Sequence, residues 1–296
     1  MHRYTLGIGA QKCASTWVHD VLAAHPQVAV PKVKELDFFS YHHDRGHSWY
    51  RAQFGPGDVR FENSPSYLHD PRSPSRVSRF NPDARIVLCV RDPVARAYSH
   101  HLHEIAKGHI PIRPFTAALA DNPDYVEQGF YARHLGRWLD YFPSSAILCL
   151  LAEEIAIQPR QQIAKLQDHL RLDPLPGGTI ASDRRNVSDR PRSNLMRRTL
   201  RTGGRLARRL GREETLGRVK ALPGVRHMLR WNSIDLRQEV PALTKTETAA
   251  LGALFAEDTA ELARLLGRAS LPWQSWHEPA KAQGGDTLHP KASTNS

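Results

Sequence analysis

Three short apolar runs, YTLGIGA, ARIVLCV and AILCLL, constrain this chain more than any other feature. They are short and rich in Val, Ile and Leu. ARIVLCV, Ala84 to Val90, lacks polar alternation and reads as a strand covered on both faces. A helical pattern follows each run. Ser15 to His25 places Trp17, Val21 and Leu22 on one side. Val94 to Lys107 is opened by Pro93, which suits a first turn, and Pro159 to Leu170 carries Ile163, Leu166 and Leu170 at helical spacing. DVRFEN supplies another strand, and a helix from about Gly129 to Tyr141 carries Tyr131, Leu135, Trp138 and Leu139. The alternation predicts an α/β fold, a central parallel sheet flanked by helices, with ligands at the C-terminal ends of the strands.

At 296 residues the chain is long enough for one large core, expected over residues 1–276. Within it, residues 185–230 are dominated by arginine and read as a helical insertion, a lid or a solvated face. TKTETAALGALFAEDTAELARLLG reads as an amphipathic helix with a Thr244–Glu247 capping box and an apolar stripe of Leu251, Leu254, Phe255, Leu262 and Leu265. Residues 277–296, rich in Lys, Gly, Ser, Thr and Pro, read as a disordered tail. The 41 basic against 30 acidic side chains give a net charge of +11, which favours polyanionic partners: nucleic acid, phosphate cofactors, anionic glycans or acidic lipid surfaces. Cys13, Cys89 and Cys149 have no metal-ligand or disulfide spacing. No apolar stretch approaches a membrane span and no signal-peptide pattern precedes Lys12, so the expectation is a cytoplasmic protein, with peripheral membrane contact left open.

The first run leads into GIGAQKCASTW, a strand, a polar turn and a helix start. Free amides at a helix N-terminus, Lys12 in the turn, and the Ser15 and Thr16 hydroxyls at the first helical positions form a cradle for phosphate or sulfate. A Walker A loop would place its lysine after a glycine, and here it does not. Ser15 as a simple cap beside a solvated Lys12 explains this stretch equally well. A second element, RIVLCVRDPVARAYSHH, ends a strand at Arg91 and places Ser99 two turns into the next helix. A guanidinium fork and a hydroxyl so placed can share one phosphate. A surface ion pair of Arg91 with Asp92 is the plain alternative.

Together, AQKCASTW and RDPVARAYS resemble the 5'-phosphosulfate loop and the R-x-P-x-x-R-x-x-S 3'-phosphate element of sulfotransferases that use 3'-phosphoadenosine 5'-phosphosulfate (PAPS). KELDFFSYHHDRGHSWYRAQF and ENSPSYL resemble further segments of heparan sulfate sulfotransferases and their bacterial relatives. The resemblance implies a P-loop-like fold and a cofactor site of Gln11, Lys12, Cys13, Ala14, Ser15, Thr16 and Trp17 at the phosphosulfate and Arg91 and Ser99 at the 3'-phosphate. Arg190 and Arg192 match loosely a late basic loop closing over the nucleotide. Lys12 and Glu35 become the catalytic pair, Glu35 as base, with PAP as the nucleotide product and no metal. Asp37, His42, Asn63 and Tyr67 fall where an acceptor would lie. Three departures stand out. Ala14 replaces the usual loop glycine, and Asn63 and Asp37 replace a lysine and a histidine, removing positive charge beside the acceptor. The implied partner is a small-molecule, glycan or lipid acceptor. A nucleotide kinase should show a Walker lysine and magnesium-binding carboxylates. Specific nucleic-acid binding through the 185–230 segment should show interleaved aromatics; neither is evident.

Overall fold

A computed structural model describes residues 3–175, 189–191 and 233–276. Its centre is a five-stranded, all-parallel sheet in the order β2-β3-β1-β4-β5. The strands are β1 (Arg3–Gly9), β2 (Val28–Ala29), β3 (Val59–Asn63), β4 (Arg85–Val90) and β5 (Ile147–Leu151). Between them run α1 (Ser15–Ala23), α2 (Gly46–Arg51), α3 (Ser73–Phe80), α4 (Pro93–Lys107), α5 (Phe115–Ala118), α6 (Asp124–Glu127) and α7 (Tyr131–Leu139). Helices α8 (Ala152–Ile157) and α9 (Pro159–Leu170) follow β5. The expected α/β class is therefore present, and the Pro159–Leu170 helix has the limits read from the sequence.

Position in the sheet follows from composition. Ile86 to Val90 of β4 are all buried, and the central β1 buries Tyr4, Leu6 and Ile8. These residues share one core with Val18, Val21 and Leu22 of α1, Leu135 and Trp138 of α7, and Leu166 of α9. Burying a large aliphatic or aromatic side chain contributes about 1.5–3 kcal/mol. Trp17 is only half-buried, at the edge of that packing.

From β1 the chain runs outward to β2 and returns to β3; it then crosses β1 to reach β4 and β5. The strand order thus reverses beside β1. The C-terminal ends of β1 and β4 meet there, in the crevice where open α/β sheets bind ligands.

Beyond α9, the two-stranded antiparallel pair β6 (Asp189–Pro191) and β7 (Ser233–Asp235) precedes α10 (Leu236–Glu239) and α11 (Lys245–Leu265). The capping box of α11 is formed: the Glu247 amide donates to Thr244 Oγ1 at 3.2 Å and the Thr244 amide to Glu247 Oε2 at 2.8 Å. Leu251, Phe255 and Leu262 are buried, but Leu254 is 56% exposed, a correction to the stripe. It falls on the face turned away from α4 and α7, against which α11 packs. Among the described residues no helix is long and apolar enough to cross a membrane. Apart from β6, the arginine-rich 185–230 segment lies outside the described residues, as does the 277–296 tail.

Candidate active site

The turn after β1 is shaped by close packing. A Cβ on Gly7 would lie 2.7 Å from the Asn63 side chain, and Gly9, at φ +127°, would push one to 2.8 Å from the Pro65 carbonyl. Beyond them Lys12 and Ala14 hold φ 68° and 65°, the left-handed region that favours glycine. The cradle's departure from glycine at Ala14 therefore falls on a position whose backbone still suits glycine. Ser15 and Thr16 open α1, and neither amide has a backbone partner among the described residues. Two neighbours brace this start: Asn63 Nδ2 donates to the Ser15 carbonyl at 2.7 Å, and Lys34 Nζ donates to Thr16 Oγ1 at 2.9 Å.

On the β4 side Asp92 caps α4, accepting from the Val94 and Ala95 amides at 3.0 and 3.2 Å. The Ser275 amide and hydroxyl also donate to it, at 2.9 and 2.8 Å. Asp92 is thus used as a cap, not as an ion-pair partner of Arg91. Ser99 and His103 stand one turn apart on α4, and His103 Nδ1 lies 3.5 Å from Lys12 Nζ. That side of α4 therefore faces the loop. Beneath it, Cys13 Sγ sits 3.6 Å from the Tyr131 hydroxyl, which the Arg91 amide also approaches.

The segment bearing Glu35 is held from below. Glu35 and Asp37 adopt φ 63° and 49°, and three successive amides are taken by side chains of ENSPSYL. Leu36 N–H donates to Glu62 Oε1 at 3.2 Å, Asp37 N–H to Ser64 Oγ at 2.9 Å and Phe38 N–H to the Tyr67 hydroxyl at 2.9 Å. Ser66 Oγ donates to Asp37 Oδ1 at 2.5 Å, and the Ser64 hydroxyl donates to Glu62. Burial pushes the Glu62 carboxyl up to about 7. The Glu35 side chain is 49% exposed, with Lys34 Nζ at 3.7 Å.

Charge draws these pieces into one site. Lys12 is depressed below the usual lysine range, first by burial and then by Arg91, while Glu35 pulls it the other way. Burial and the Lys12 charge keep the His103 imidazole neutral, down to about 4. A cation concentration of this kind, at free helix-start amides, fits the phosphate and sulfate groups of an adenosine phosphosulfate.

Several expected contacts differ in kind. Tyr67 is fully buried and its hydroxyl is occupied by the Phe38 amide, so it supports the Glu35 segment and faces no acceptor. Asn63, 3% exposed, has its amide committed to Ser15; it braces the cradle from the adjacent strand. Cys13 is buried, with burial raising its thiol to about 11, so only its backbone can face an anion. Gln11 is half-buried on the loop, and His42 is exposed beyond Asp37. Arg190 lies in β6, whose backbone runs beside α4; Arg192 lies outside the described residues. Sequence reading offers Lys34 as an ion-pair partner of Glu35, which it is, but misses His103, the Glu62 support and the bond from Lys34 to Thr16. His103 was legible, since it stands four residues after Ser99 on a helix already recognised.

The fold defines a class: a P-loop-like α/β protein with a parallel sheet whose strand order reverses beside β1, where a loop and helix start follow β1 and a capped helix follows β4. The family model described as "Sulfotransferase domain" matches residues 4–199, and the chain belongs to the sulfotransferase family. It is 30% identical over 176 residues to human heparan sulfate glucosamine 3-O-sulfotransferase 3B1, covering 56% of this chain and 45% of that protein. With mouse heparan sulfate glucosamine 3-O-sulfotransferase 6 the identity is 32% over 177 residues, covering 56% and 51%. The chain thus spans about half the length of these relatives. The solved structure of a sulfotransferase from Alicyclobacillus acidocaldarius superposes with TM-score 0.65 at 21% identity, covering 90% of this chain and 97% of that one, a likeness of fold.

Proposed function

We propose that this protein transfers a sulfuryl group from PAPS to a hydroxyl or amine of a small-molecule, glycan or lipid acceptor. One observation carries the reading: the Lys12 ammonium, in the turn whose helix-start amides have no backbone partner among the described residues, lies 3.5 Å from His103 on α4, the helix that follows Arg91 and carries Ser99, so the two expected cradles meet. Sulfuryl transfer, like phosphoryl transfer, needs an in-line nucleophile and leaving group and positive charge on oxygens that gain electron density. The Ser15 and Thr16 amides and hydroxyls hold the donor's 5' end, and Arg91 with Ser99 its 3'-phosphate. Lys12 stabilises charge growing on the departing nucleotide. Glu35, solvent-accessible and fixed by its braced backbone, takes the acceptor's proton as the new bond forms. His103 Nδ1, kept neutral, accepts from Lys12 and fixes the direction of the ammonium.

The test is calorimetric titration with PAP, followed by transfer of labelled sulfate from PAPS to a panel of phenols, lipids and desulfated and sulfated glycans. The expected outcome is saturable PAP binding, labelled product from at least one acceptor, and no product from Lys12→Ala. Arg91→Ala should mainly weaken PAP. Absence of PAP binding, or full transfer by Lys12→Ala, overturns the reading.

A further inference from the structure

At the strand ends away from Lys12 lies a cavity of about 510 Å³ that the proposed reaction does not use. Arg3 and Arg85 line it from the first residues of β1 and β4, Arg171 from the end of α9, and Ser145 from the turn before β5. The length of β1, roughly 20 Å, separates it from the loop that bears Lys12. Arg3 is fixed at the wall, its Nη1 donating to the Leu170 and Arg171 carbonyls at 3.1 and 3.2 Å. None of the three guanidinium groups has a carboxylate in ion-pair range among the described residues. Arg85, half-buried, is held below the usual arginine range, first by burial and then by the Arg171 and Arg3 charges, with Asp168 acting the other way. Like charges gathered without a paired carboxylate repel one another, and an anion among them relieves that repulsion. Guanidinium forks match the oxygens of a phosphate or sulfate. Asn81, 7% exposed, also lines the cavity; its Oδ1 accepts from the Asp83 amide at 3.0 Å, and its Nδ2 has no partner among the described residues. The Asp83 carboxylate and Ser145 hydroxyl complete a polar wall. A carboxylate there repels the anion itself but accepts from hydroxyls, so the set suits a charged group joined to a hydroxyl-bearing body. The volume falls within the roughly 300–1,000 Å³ of small-molecule sites.

We propose that this cavity is a second binding site, for a small phosphate or sulfate monoester with a hydroxyl-bearing, sugar-like body, gripped by Arg3, Arg85 and Arg171 and oriented by Asn81, Ser145 and Asp83. It lies apart from the site that would hold PAPS and stands without that reading. The test is calorimetric titration of the whole protein, at about 0.15 M salt, with glucose 6-phosphate, glucose 6-sulfate, inorganic phosphate and glucose. At least one ester should bind as one equivalent, tenfold or more tightly than inorganic phosphate, and glucose should not bind. The two ester arms tell which group the arginines take. Arg85→Gln should weaken that ester at least tenfold. Arg171→Gly removes a charge at φ 51°, a conformation glycine adopts without strain, and should weaken the ester severalfold in a folded protein. It decides the matter should Arg85→Gln fail to fold. Lys12→Ala should bind the ester as wild type does. No binding of either ester, equal affinity for inorganic phosphate or glucose, or full affinity in either arginine variant overturns the proposal. Loss of binding in Lys12→Ala overturns it too, by placing the ester at the loop after β1.

Discussion

Ala14 shows what a single methyl group does in a tight left-handed turn. At φ 65° an L-residue costs roughly 1–2 kcal/mol, which glycine avoids. Glycine returns about 0.4–1 kcal/mol of that through the entropy of the unfolded chain. Ala14→Gly should therefore stabilise the fold by about 0.5–1 kcal/mol, a rise of a few degrees in Tm by calorimetry. An unchanged or lower Tm would mean that the Cβ makes packing contacts worth the strain. Glu35 shares the left-handed backbone, and the proposed reaction makes it the base. Exposed and fixed by its neighbours, it can be neutralised without disturbing the nucleotide. Glu35→Gln should lower the rate of acceptor sulfation about 10²–10⁴-fold and leave PAP affinity within twofold. Unchanged turnover would assign the base elsewhere, to Asp37 first.

At the level of elements, α4, which carries the proposed 3'-phosphate contact Ser99, is tied to the C-terminal part of the chain. Its cap Asp92 binds two amides of its own helix and both donors of Ser275, while Trp273 Nε1 reaches Glu153 at 3.1 Å and Arg268 Nη1 reaches Glu154 at 2.5 Å. Asp92→Ala should cost about 1–2 kcal/mol in urea unfolding, as lost helix caps do, and should weaken PAP because Ser99 rides on the loosened helix. A variant with wild-type stability would show that Ser275 and Glu153 hold the helix start unaided. The same elements show what sequence could reveal. Strand β4 and helix α9 were readable because continuous apolar character and helical spacing each report burial directly. The elements that carry the two proposed cradles were readable because a strand end, a polar turn and a helix start are local features. The Glu62, Ser64 and Tyr67 support of Glu35 was not, since those contacts join β3 and its following turn to a segment 26 to 29 residues earlier, and no local pattern signals them. Tyr67 was accordingly misplaced at the acceptor.

Among the described residues, histidines held low by burial set the response to acid. Burial holds His100 down to about 3 and His103 and His134 down to about 4, so each stays neutral in the fold and takes up a proton on unfolding once the pH drops below about 6.5. Stability from these groups is therefore complete above pH 6.5 and is lost as the pH falls. Glu62 acts in the opposite sense. Raised to about 7, it already carries its proton in the fold and releases it on unfolding above about 4.5. Between about pH 4.5 and 6.5 these four groups take up three protons and release one, a net of two or roughly 3 kcal/mol per pH unit lost on acidification. His19, His43, His69, His101 and His169, also held low by burial, act in the same direction. Urea denaturation at half-unit steps from pH 7.5 to 4.5 measures that slope. His134→Gln should flatten it by about one proton, and Glu62→Gln should steepen it by the same amount. If both variants shift the slope in the same direction, the opposition between the histidines and the buried carboxyl does not govern the acid response of the fold.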